Sequence, residues 1–136
     1  MAEGETDLNS QEGSAHGMID RIMAKVEQVT YPDAVDAVTG WVNQEIGYTK
    51  TLANLIRGTG GDSTLLDNSL TTLTEVNGAL ATGDTKPARA YLSGKLSFVI
   101  GRDPIANRNE TIVDTLVDEA AKVLSCSLAL NKGPAN

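Results

Sequence analysis

The 136-residue chain carries one histidine and one cysteine, and those two counts limit the chemistry it can support. His16 has no second imidazole to work with, which removes the commonest acid–base and metal arrangements. The inward-facing Glu-x-x-His pairs of a di-iron bundle are absent as well. His16 sits beside Gly17 at the start of a helical pattern, where chain ends usually fray, and it reads as a solvated side chain in preference to a phosphotransfer site. Cys126 permits neither an intrachain disulfide nor a thiolate metal cage. It lies between Val123 and Leu130 on an apolar side of the last helical pattern, where a thiol behaves as a small buried hydrophobe.

Three other groupings invite a chemical reading. The glycines Gly58, Gly60 and Gly61 follow a helix and lack the lysine of a phosphate-binding loop, so they read as a helix stop. Asp36 and Glu45 are carboxylates on a helix and nothing more specific, which leaves an enzyme as the weakest alternative. Lys86, Arg89, Lys95, Arg102 and Arg108 face only Asp103 in the window from residue 85 to 108. Such a window can meet an acidic partner, or nucleic acid held inside an assembly. Tyr91 and Phe98 are its only aromatic residues, thin support for base stacking, and charges commonly border the apolar seam of a bundle. No catalytic residue, metal site or cofactor is expected.

Composition agrees. The net charge of −7 opposes a main role in coating nucleic acid, because that binding runs on lysine and arginine neutralising phosphates. The charge is uneven: Glu3, Glu5, Asp7 and Glu12 stand in the first twelve residues without a base, opposite in sign to the basic window. No apolar run approaches the roughly 18 residues of a membrane span, and the acidic N-terminus is unlike a signal peptide. A reducing, intracellular setting, or the inside of a virus particle, is therefore expected, with no membrane contact.

The elements that must position these residues are helices. With 40% apolar and only 4% aromatic residues, the core has to come from Leu, Val, Ile and Ala, which suits helix packing. Residues 1–13 lack apolar periodicity and read as a flexible acidic arm. Met18, Ile19, Ile22, Met23, Val26 and Val29 fall at three- and four-residue steps and predict a first helix ending near Val29. Thr30, Pro32 and Asp33 are a helix start signal. The second helix, about 32–57, carries two seams. Val35, Val38, Val42, Ile46, Thr49, Ala53 and Ile56 form one; Ala34, Ala37, Trp41, Tyr48, Leu52 and Leu55 form the other. Gly40 and Gly47 lie on the remaining stripe, where each costs about 1 kcal/mol relative to alanine. A close approach by another helix, from this chain or from another subunit, is one reason for keeping them, and tolerance at a surface is the other.

Asp62, Ser63 and Thr64 cap a third helix along Leu66, Leu70, Leu73, Val76 and Leu80. A fourth element starts near Asp84 and Pro87, and its end, Ser97–Ile100, suits helix or strand. Asn107 and Glu110 form a capping box for the last helix, with a seam of Val113, Val117, Ala120, Leu124 and Leu128, and Asp118 and Lys122 as an i,i+4 pair. Residues 131–136 read as a tail. There is no evident internal repeat. The expectation is an all-α antiparallel bundle of four to five helices over residues 14–130, acting as a non-enzymatic assembly protein in a homo- or hetero-oligomer, of the kind found in virus or phage particles. Its candidate interface is Gly40, Trp41, Gly47 and Tyr48 with the basic residues of 86–108. An adaptor or chaperone-like bundle holding a partner helix is the alternative.

Overall fold

A computed structural model describes residues 17–101 and 110–134 of the chain. The expected arm over residues 1–13, together with His16, Arg102, Asp103, Asn107 and Arg108, lies outside them. The described residues form an all-α bundle with helices α1 (residues 17–25), α2 (Tyr31–Gly58), α3 (Thr64–Ala81), α4 (Lys86–Gly101) and α5 (Glu110–Lys132), and no strand. The stretch Ser97–Ile100 is helical. Val99 continues the spacing set by Leu92 and is buried, so packing outweighs the strand preference of Phe, Val and Ile.

The contacts divide the chain into two compact units. One contains α1, the part of α4 from Leu92 onward and α5 up to Ser125. Its core joins Met18 and Ile22 of α1 to Val99 of α4 and to Val113, Leu116, Val117, Ala120 and Ala121 of α5. Arg21 pairs with Asp114, and Lys25 with Asp118 at 2.6 Å; each partner on α5 lies the same 93 residues further along the chain. A constant difference means that α1 and α5 run parallel. Asp118 thus faces Lys25, not only the Lys122 that the sequence offered as its neighbour.

Helix α1 stops at Lys25 and not near Val29. The Glu27 amide donates to the Ser125 hydroxyl at 3.0 Å, and that hydroxyl donates to the Ala121 carbonyl at 2.7 Å. A tertiary acceptor has taken a donor that a longer helix would use internally, and Val26 and Val29 are half-buried in the connection that follows.

The second unit holds α2, α3, the start of α4 and the end of α5. Thr30 caps α2 by accepting from the Asp33 amide at 3.2 Å, with Pro32 in the first turn. At the other end Gly60 takes a left-handed φ of 81°. This lets the Gly60 and Gly61 amides reach the Arg57 and Ile56 carbonyls at 3.0 and 2.8 Å, a double closure of the last turn that a side chain at Gly60 would strain. Gly83 closes α3 in the same way, with a φ of 90° and the Asp84 amide on the Ala79 carbonyl at 2.9 Å. Asn77 of α3 donates to Asn43 of α2 at 2.8 Å, while Arg57 meets Asp67 at 3.0 Å. As the number rises on one helix it falls on the other, so α2 and α3 are antiparallel.

Two expectations about α5 need correction. The helix continues through Lys132, one turn-closing step before Gly133, so Asn131 belongs to it. Its buried side is also wider than the expected seam. It takes in Ala121, Ser125 and Ala129, whereas Leu128 of the expected seam is exposed; Cys126 and Leu130 are buried, as their place on an apolar side predicts.

Candidate interface on the second helix

Helix α2 has 28 residues and α3 has 18, so α3 lies beside only part of its partner's length. The first seam is packed: Val38, Val42 and Ala53 are buried, and Val35, Ile46 and Ile56 are half-buried. The second seam divides. Its N-terminal half, Ala34, Ala37 and Trp41, is buried or half-buried, but its C-terminal half lies open, with Tyr48 68%, Leu52 47% and Leu55 63% exposed. The two seams thus differ in cover: the first is packed along its length, and the second only in its N-terminal half.

At about 3.6 residues per turn, Gly40, Gly47, Thr51 and Gly58 fall on one line, immediately beside Tyr48, Leu52 and Leu55. A methyl group added at Gly40, Gly47 or Gly58 would meet nothing within 4 Å. Among the described residues no helix closes on these glycines, so packing between the described helices is not the reason for them.

The polar groups of this face are turned inward on the helix itself. Thr51 donates its hydroxyl to the Gly47 carbonyl at 3.0 Å, and Gln44 donates to the Tyr48 hydroxyl at 3.4 Å. From Ala37 to Gly58 the face carries no charged side chain. Lys50 and Arg57 lie on one flank and Glu45 on the other, where it accepts the hydroxyl of Tyr91 from α4. Arg57 is drawn further away by Asn54 at 2.6 Å and by Ser63 and Asp67, each at 3.0 Å.

Of the basic window, Lys86 and Arg89 belong to one unit and Lys95 to the other, and Arg102 and Arg108 lie outside the described residues. Lys86 is exposed at the start of α4, where the Asp84 carboxylate accepts its amide at 3.1 Å. Arg89 is half-buried and donates to Asn131 at 2.9 Å, its Nε buried without a hydrogen-bond partner. Lys95 belongs to the other unit and faces Glu119 at 3.9 Å.

The remaining chemical candidates have structural surroundings. Cys126 is buried and unpaired, and burial pushes its thiol up from the ordinary range. Asp36 is exposed. Among the described residues no group of three or more His, Cys, Asp and Glu side chains is placed to hold a metal ion, and no helix is long and apolar enough to cross a membrane.

Sequence reasoning singled out Gly40, Trp41, Gly47 and Tyr48 but omitted Leu52, Leu55 and Leu65, the last of which is 82% exposed at the start of α3. Periodicity places Leu52 and Leu55 in the second apolar seam, and it marks an apolar face without saying what covers it. No known protein family, curated protein or solved structure matches the chain.

Proposed function

We propose that the protein is a non-enzymatic assembly subunit that packs through an exposed helical face into a larger oligomer, a virus or phage particle being one such setting. The observation that carries this reading is the C-terminal half of α2, where Tyr48, Leu52 and Leu55 are exposed beside uncovered glycines on a face free of charge. A contiguous apolar patch without charges is what the centres of protein interfaces look like. The non-enzymatic part rests on the sequence, which offers a single imidazole and a single thiol, and on the structural surroundings of Glu45 and Cys126.

Native mass spectrometry and light scattering on the full chain test the reading. Oligomers or a defined complex are expected. A strictly monomeric chain at every concentration, with no partner copurifying from its natural source, would refute it. A stable monomer that binds an added amphipathic helix on this face would favour the adaptor alternative instead.

A further inference from the structure

We propose that α1 is a strap that opens from its unit as one body while the helices beneath it stay folded, and that ionic strength sets how often it opens. The division of its contacts carries the proposal. Of residues 17–25, only Met18 and Ile22 are buried, at 4% and 3% exposure, and residues 19–21 and 23–25 are exposed. A helix of this length is marginal by itself, so α1 depends on the seat those two side chains share with Val99, Val113 and Val117. The helices that form the seat are held differently. Helix α4 has 16 residues and α5 has 23, and both continue as helix beyond this unit, back to Lys86 and on to Lys132. Opening α1 withdraws two buried side chains from the core, whereas opening α5 would withdraw Val113, Leu116, Val117, Ala120 and Ala121 together. Local opening follows the smaller loss.

The rest of the hold on α1 is electrostatic and lies in water. Arg21 meets Asp114 and, at 3.8 Å, Glu110, while Lys25 meets Asp118 at 2.6 Å. The side chains concerned are between 42% and 80% exposed. Pairs so exposed each contribute little and are screened by salt. Here all of them join α1 to the same line of α5, so added salt weakens them together. The strap also has a defined end. Residues 26–30 are not helical, and the Glu27 amide is held by the Ser125 hydroxyl at 3.0 Å, which puts the hinge just after Lys25. Opening there uncovers Val113 and Val117, which are 9% and 0% exposed when the strap is closed.

Hydrogen exchange of single amides in the full chain, followed by NMR at about 50 and about 500 mM salt, separates this opening from global unfolding. The amides of residues 21–25 should exchange at least about tenfold faster than those of residues 117–121. They should speed up about threefold at the higher salt, while the amides of residues 42–46 on α2 do not. Arg21→Glu sets like charge opposite Glu110 and Asp114 yet keeps a favourable i,i+4 order with Lys25 inside α1. It should speed the amides of residues 21–25 about fivefold. Adding Asp114→Arg should reverse most of that change, a rescue that a loss of helix within α1 would not show. Residues 21–25 exchanging at the rate of residues 117–121, or equally fast at both salt concentrations, would overturn this inference. So would α5 amides that speed up in step with those of α1, or an Arg21→Glu chain with unchanged α1 exchange. If a variant does not fold, the salt series on the natural chain decides.

Discussion

Two residues have ionisation behaviour that the fold sets and the sequence does not. Cys126 has its thiol raised by burial, so the folded state holds the neutral form more tightly than the unfolded chain does. That contribution is complete below the thiol's ordinary value of about 8.5 and is lost as pH rises through the higher folded value. The melting temperature is expected to fall more steeply between pH 8 and 10 in the natural chain than in Cys126→Ala, and the thiol should react with an aromatic disulfide reagent only after unfolding. Asp62 behaves in the opposite sense. The Thr64 hydroxyl donates to it at 2.5 Å and the Thr64 amide at 2.9 Å, and both hold its carboxyl below the usual carboxylate range. Its stabilising effect is present above about pH 3.9 and disappears as pH falls through the lowered value. Asp62→Ala should lower the melting temperature at pH 7, with the difference from the natural chain closing on acidification. The burial of Cys126 was legible from its position between Val123 and Leu130. The cap cluster of Asp62, Ser63 and Thr64 is legible in the sequence, although it is Thr64 that donates to Asp62, and the Ser63 side chain accepts no capping bond.

Among the elements, helix ends were far easier to read than helix neighbours. The stops at Gly60 and Gly83 follow from local stereochemistry, since a left-handed residue favours glycine. Gly40 and Gly47 are helical glycines for which no such need exists. Unfolding by denaturant should therefore separate the two kinds. Gly60→Ala is expected to destabilise by about 1 kcal/mol, and Gly40→Ala to stabilise by about 0.5–1 kcal/mol, because alanine restricts the unfolded chain and meets no obstruction in the helix. Destabilisation by Gly40→Ala would show that the position is covered in solution. The end of α1 illustrates the converse. Apolar spacing carried the expected helix to Val29, but the Ser125 hydroxyl, 98 residues from Glu27, supplies an acceptor that no local window contains.

On the scale of the whole molecule, the net charge of −7 opposes association of like chains, and salt screens that repulsion over a Debye length of about 10 Å at 0.1 M. Self-association through a neutral face should strengthen as salt is raised from about 50 to about 500 mM, read by sedimentation; contact between the chain and a basic partner would weaken over the same range. The sequence by itself determined the all-α class, the approximate limits of α2 to α4 and the apolar stripe of each helix, because periodicity, caps and glycine stops act over a few residues. Only the tertiary structure decided that α1 runs beside α5 in parallel, that α5 buries its alanines while exposing Ile112 and Leu128, and that the basic residues of α4 divide between two units. It alone left Tyr48, Leu52 and Leu55 open. An amphipathic pattern fixes which face of a helix avoids water, but which neighbour covers that face depends on contacts between residues far apart in the chain, and no local spacing encodes them.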